Sequence, residues 1–233
     1  AIANFNTTKM SKELKEAGEN LENLGGKLET VGGKLNSAGN TLIGLSAPIV
    51  AFAGYATKAG IDFEQGMAKV QAISGATGSE LKALTNKAKE IGESTQWSSS
   101  QAAEGLQYLS MAGWDTQSML AGITPIVNLA TASTENLGTV SDIVSDALTA
   151  FGLSASDTTE FCDVLAATMA NSNTNVAMLG ETFQYAAPLA GALGFSMQDV
   201  ATAAGLMANA GIKASVSGTA LRTCLLYTSD AAD

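Results

Sequence analysis

Histidine is absent from this 233-residue chain, which removes Ser-His-Asp and Cys-His catalysis, His-ligated zinc and the histidine pH switch. Cysteine is limited to Cys162, inside a helical pattern, and Cys224, near the C-terminal end. Neither a disulfide framework nor a CxxC metal clip can be drawn from them. Aromatics are scarce, at 7 Phe, 4 Tyr and 2 Trp, and β-branched alternation is rare, so large β architectures are disfavoured. Cationic side chains are missing from residue 90 through residue 212, a stretch that holds 12 acids, whereas residues 1–89 hold 10 Lys against 8 acids. A 123-residue stretch without Lys or Arg has nothing with which to neutralise phosphates, so this region is not expected to bind nucleic acid directly. The opening residues, with Asn4, Asn6, Thr7 and Thr8, lack the charged and apolar regions of a secretory signal.

What the chain has in abundance is small residues, 40 Ala and 24 Gly. That composition suits closely approaching helices, and the expected fold class is all-α. From Met10 to Leu45 the apolar positions alternate at spacings of four and three. With Leu14, Leu21, Leu28, Leu35 and Leu42 at heptad position a, the d positions hold Ala17, Leu24, Val31, Ala38 and Leu45. Leu21-Glu22-Asn23-Leu24-Gly25-Gly26-Lys27 is echoed by Leu28-Glu29-Thr30-Val31-Gly32-Gly33-Lys34, which is internal repetition. Six glycines in the segment each cost roughly 0.8–1 kcal/mol against Ala, together about 5–6 kcal/mol, so the helix needs a partner to bury its seam. The expected self-association seam is Leu14, Leu21, Leu24, Leu28, Val31, Leu35, Leu42 and Leu45. The alternative is an amphipathic helix folded onto its own domain.

Between Lys34 and Lys58 lie 23 consecutive uncharged residues, most apolar over Leu42–Ala56. The length borders on that of a membrane span, but Asn36, Asn40, Gly44, Ser46 and Gly54 dilute it, and Pro48 is expected to interrupt the heptad helix. Residues 46–60 are read as an apolar hinge or buried helix, with conditional membrane insertion as the other reading.

After Ile61 the chain reads as short helices with recurrent punctuation. Gly113-Trp114-Asp115, Gly152-Leu153-Ser154 and Gly194-Phe195-Ser196 each combine a left-handed glycine stop, an apolar residue folding back over the last turn, and a cap for the next helix. Ser154 with Asp157 and Ser196 with Asp199 form capping-box patterns, so these carboxylates are read as caps and not as catalysts. Helices are expected over 79–93, 99–112, 116–132, 137–151, 155–171, 175–193, 196–210 and 214–222. The first two glycine stops are 39 residues apart and the next pair 42, as in stacked helical hairpins. Met111, Met119, Met169, Met178, Met197 and Met207 lie among Ala and Leu, where core filling is expected and an adaptable groove is the alternative.

No catalytic or cofactor pattern emerges. A GxGxxG fingerprint is missing, and the two Gly-Gly-Lys-Leu tetrads lack the glycine spacing and the Ser or Thr of a phosphate loop. Glu160 and Asp163 read as a solvated face, and Asn171-Ser172-Asn173-Thr174-Asn175 as an Asx-rich turn into a helix. No catalytic, cofactor or metal residue is assigned. The last ten residues, 224–233, give up the helical pattern and look like a translated sequencing adaptor. They are set aside from the fold, and the chain is read as part of a longer one.

From Ala59 to Thr223 the residues carry a family resemblance. The stretches are Phe63-Glu64-Gln65-Gly66-Met67-Ala68-Lys69-Val70, Ser74-Gly75-Ala76-Thr77, Gln101-Ala102-Ala103-Glu104-Gly105-Leu106 and Met111-Ala112-Gly113-Trp114. They continue with Asp142-Ile143-Val144-Ser145-Asp146-Ala147-Leu148, Ala150-Phe151-Gly152-Leu153, Asn171-Ser172-Asn173-Thr174, Tyr185-Ala186-Ala187-Pro188, Ala208-Asn209-Ala210-Gly211-Ile212-Lys213 and Gly218-Thr219-Ala220-Leu221-Arg222. In this order they resemble the core region of phage tail tape measure proteins, with residues 1–45 as the preceding heptad helix and 61–223 as the α-helical core. The resemblance implies a structural, non-enzymatic protein without cofactors, found in the tail lumen of the virion and in the host cytoplasm during assembly. It implies a role in setting tail length and in genome ejection. The partners it implies are further copies of the chain, tail tube, tail assembly chaperone and baseplate proteins, and the host membrane on ejection. Outside phages, a membrane-active or pore-associated helical protein is the alternative.

Overall fold

The computed structural model describes the backbone of residues 43–230 and the side chains of residues 58–227. The chain divides into two units, Ala1–Lys58 and Ala59–Asp233. The heptad positions Leu14 to Leu42 lie outside the described residues. For Leu45 the backbone is helical.

Among the described residues the protein is all-α. The first helix, α1, runs over Ile43–Ser74 and therefore continues through Pro48, where the sequence suggested an interruption. A proline there removes one backbone donor, and the turns on either side carry the helix past it. No helix among the described residues is long and apolar enough to cross a membrane. The helices that follow are α2 (Gly78–Ser94), α3 (Ser99–Met111), α4 (Thr116–Ser133) and α5 (Leu137–Phe151), then a 3-10 turn at Ala155–Asp157 and α6 (Thr158–Asn171). The last three are α7 (Val176–Ala192), α8 (Met197–Asn209) and α9 (Ala214–Asp230). Two boundaries depart from the sequence reading. The segment expected as one helix from residue 155 opens as the 3-10 turn, and α9 runs on through Asp230 instead of ending at residue 222. Its Leu221 and Leu225 both lie against the core, and this four-residue spacing keeps one face of the helix engaged beyond Arg222.

The punctuation works as a set of closed helix ends. Gly113, Gly152 and Gly194 have φ of 81°, 71° and 78°, which favours glycine. The next residue's N–H reaches back five positions: Trp114 to Leu109 O at 3.1 Å, Leu153 to Leu148 O at 2.8 Å and Phe195 to Ala190 O at 2.9 Å. Each bond satisfies a carbonyl that the helix end would otherwise orphan. A fourth stop of the same kind closes α8, where Gly211 has φ 87° and Ile212 N–H donates to Met207 O at 2.9 Å.

The core of the second unit is two layers of helices in which each helix from α3 onward packs most extensively on one two places along the chain, while α2 packs mainly on α3. One layer stacks α3, α5, α7 and α9; the other pairs α2 with α4, α4 with α6, and α6 with α8. Consecutive helices therefore alternate between layers, the arrangement of stacked hairpins. Small residues set the spacing. A Cβ at Gly105 of α3 would come within 2.9 Å of Ser141 Oγ on α5, and one at Gly180 of α7 within 2.9 Å of Ile143 Cγ2 on α5. Across the layers, Phe151, Phe161 and Phe183 from α5, α6 and α7 meet with ring centroids 5.7–6.4 Å apart. Phe161 and Phe183 are almost fully buried, so this cluster pins three helices at one point. Met119 and Met197 fill the core as expected, whereas Met111 is 61% exposed.

Candidate interaction surface

The carboxylates that the punctuation marked as caps are caps. Asp115 Oδ1 accepts from Ser118 N–H at 2.7 Å. Asp157 Oδ2 accepts from Ser154 N–H at 2.8 Å and from its hydroxyl at 2.8 Å. Asp199 Oδ2 accepts from Ser196 N–H at 3.0 Å, while Asp199 N–H donates back to Ser196 Oγ at 3.1 Å. The bonds stabilise the ionised form, so all three carboxyls titrate below the ordinary 3.8. A carboxylate held ionised and exposed in this way is a poor general acid at neutral pH.

The other residues singled out in the sequence find equally local roles. Asn175 Oδ1 caps α7 by accepting from Met178 N–H at 2.8 Å, and Asn173 N–H donates to Asn209 Oδ1 at the end of α8, 2.8 Å away. Glu160 and Asp163 do not form a pair: both are exposed, and Glu160 Oε1 accepts from Gln198 Nε2 at 2.6 Å. Burial, and then the charge of Asp163, push the Cys162 thiol up to about 12, which leaves it unreactive at neutral pH. Among the described residues no group of His, Cys, Asp and Glu could hold a metal ion.

The feature that sequence reasoning missed is a groove of about 550 Å³ between α5 and α7. Asp142, Asp146 and Glu181 are among its walls, and Ile143, Ala147, Ala150, Ala177 and Gly180 supply apolar surface. Gly180 lets α7 approach α5 closely beside the groove, since a Cβ there would lie 2.9 Å from Ile143 Cγ2. Partial burial, reinforced by the charge of Asp146, raises the Asp142 carboxyl above 3.8. The signal available in the sequence was the four-residue spacing of Asp142 and Asp146, which puts two like charges on one helix face. The sequence did not indicate that α7 would bring Glu181 beside them.

The sequence pattern of the family described as phage-related minor tail protein matches residues 85–233. The tape measure protein of Pneumococcus phage Dp-1 is 34% identical over 181 residues, covering 78% of this chain and 16% of that protein. A probable tape measure protein of Escherichia phage P2 is 28% identical over 168 residues, 71% of this chain and 21% of its own length. That of Clostridium phage phiCD119 is 28% identical over 161 residues, 67% of this chain and 17% of its own. The chain thus spans about a sixth to a fifth of the length of these curated relatives. No solved structure matches it.

Proposed function

The chain belongs to the phage-related minor tail protein family, and from that premise we propose that it is part of a tape measure: a structural, non-enzymatic component that occupies the tail tube lumen, governs tail length during assembly and leaves at genome ejection. The observation that carries the reading is the alignment with relatives named tape measure protein over 67–78% of the chain. The helical architecture agrees with it: the glycine and cap positions singled out in the sequence serve helix ends and helix crossings.

In this reading the chain is synthesised in the host cytoplasm, associates with further copies through Leu14, Leu21, Leu24, Leu28, Val31, Leu35, Leu42 and Leu45, and is handed to tube and baseplate proteins by a tail assembly chaperone. The host membrane is its last contact, on ejection. Removing three heptads, Leu14 to Lys34, from the complete gene tests the ruler directly. At about 1.5 Å per helical residue the assembled tail shortens by roughly 30 Å, read from length distributions in the electron microscope. Keeping whole heptads preserves the register of the seam. Tails of unchanged length refute a ruler function for this segment and leave it as an anchor.

A further inference from the structure

The α5–α7 groove is lined by three carboxylates, from Asp142, Asp146 and Glu181, on a stretch of chain that contains no cation between residues 90 and 212. The ion pair formed among the described residues, Lys87 Nζ with Glu90 at 3.0 Å, lies elsewhere, on α2. Among the described residues no ion pair reaches these three carboxylates. Between the carboxylates runs apolar surface made largely of small side chains, Ala147, Ala150, Ala177 and Gly180. A shallow apolar strip flanked by acids matches the shape of a Lys or Arg side chain, whose aliphatic stem covers apolar surface while its head stays with charge or water.

The fold also favours one form of occupant: the described residues offer helix faces and no strand edge, so recognition by strand addition has no template here, whereas a helix laid between two helices does.

We propose that the α5–α7 groove docks a basic amphipathic helix of a partner protein, its Lys or Arg stems crossing the alanine surface and their charged ends reaching Asp142, Asp146 and Glu181. The inference goes beyond the tape measure reading by assigning a face and a partner chemistry, and it holds or fails whether or not the chain measures length.

The test uses the 233-residue chain and fluorescent synthetic helices, read by anisotropy at low and at physiological salt. One probe carries Leu and Lys on the same face, a second has every Lys changed to Glu, and a third has every Lys changed to Gln. The expected result is binding of the Lys probe alone, weakening as salt rises. The triple variant D142N, D146N and E181Q should loosen that binding at least tenfold, and Ala177→Leu, which fills the groove without changing charge, should do the same. A control triple, E93Q, E160Q and D163N, removes equal charge from other surfaces and should leave affinity within about twofold. Circular dichroism of each variant guards against loss of folding. Equal weakening by the two triples, equal binding of the Gln probe, or failure of the unaltered chain to bind the Lys probe each overturns the proposal.

Discussion

Replacing Gly218 with Ala sets two well-defined effects against each other. Gly218 lies in α9, and in a helix interior Ala is favoured over Gly by about 0.8–1 kcal/mol. Packing opposes this. A Cβ at residue 218 would sit 2.6 Å from Thr182 O, 2.9 Å from Tyr185 Cβ and 3.1 Å from Thr182 Cα, all on α7. Two of these atoms are backbone, so no side-chain rotation can relieve the contact and α9 must move away from α7. Overpacking of this kind costs about 1–3 kcal/mol. The same movement loosens the hydrogen bond from Thr182 Oγ1 to Ala214 O, 3.1 Å long, for roughly another 0.5–1.5 kcal/mol. The packing terms outweigh propensity, and G218A should be destabilised by about 1–3 kcal/mol. Gly60 is the matched control: it lies in α1, is exposed, and has nothing within 4 Å of an added Cβ. There Ala should gain up to about 1 kcal/mol. Urea unfolding followed by far-ultraviolet circular dichroism measures both. If G218A is stabilised as much as G60A, the close crossing of α7 and α9 is wrong.

Other perturbations follow from the same contacts. Phe183→Ala removes the ring at the junction of α5, α6 and α7 and should cost about 3–5 kcal/mol, read by the same unfolding assay. With a thiol reagent at mildly alkaline pH, the folded chain should be modified at the exposed Cys224 and spared at the buried Cys162, becoming reactive at both in denaturant; rapid modification of Cys162 in the folded chain would contradict its raised titration. Asp115, Asp157 and Asp199 have carboxyls held below 3.8 in the fold, so the stability they supply is complete above that value and is lost as pH falls through their lower folded values. Changing all three to Asn should flatten the acid limb of a plot of melting temperature against pH. Asp142 behaves oppositely: its carboxyl is raised, so the ionised form weighs against folding at neutral pH, and D142N should raise the melting temperature at pH 7 by an amount that vanishes well below 3.8.

Helix ends were the most legible part of the fold because their chemistry is local. A glycine, an apolar residue and a cap within three positions determine the stop and the restart together, and Gly113, Gly152 and Gly194 all take the left-handed conformation that this pattern demands. Gly211 uses the same closure but is followed by Ile212 and Lys213, and without a capping side chain in third place its role was not evident. The layer pairing was less legible. Periodicity shows which face of α5 is apolar, yet it does not say whether that face meets α4, α6 or α7; the answer depends on how closely backbones approach at Gly105 and Gly180. Glycines at such crossings read in sequence only as weak helix positions. For the same reason the groove was invisible, since Glu181 comes beside Asp142 and Asp146 through the stacking of α7 on α5 and through no spacing along the chain.

The composition of the chain and its layered architecture constrain each other. A stack in which helices approach as closely as Gly105 and Gly180 allow needs small residues at the crossings, and the buried faces are accordingly supplied by Ala, Ser and Gly together with larger apolar anchors. Charge is thereby pushed to the outer faces and the helix ends, and between residues 90 and 212 all of it is negative. Such a surface repels a polyanion at distances up to about 10 Å at moderate salt. The negative charge that disfavours contact with phosphate favours a partner bearing Lys or Arg, as in the docking proposed above. Discrimination between basic partners then falls to shape, and the α5–α7 groove supplies it by joining concentrated negative charge to an apolar strip, so that charge governs approach and the alanine surface governs fit.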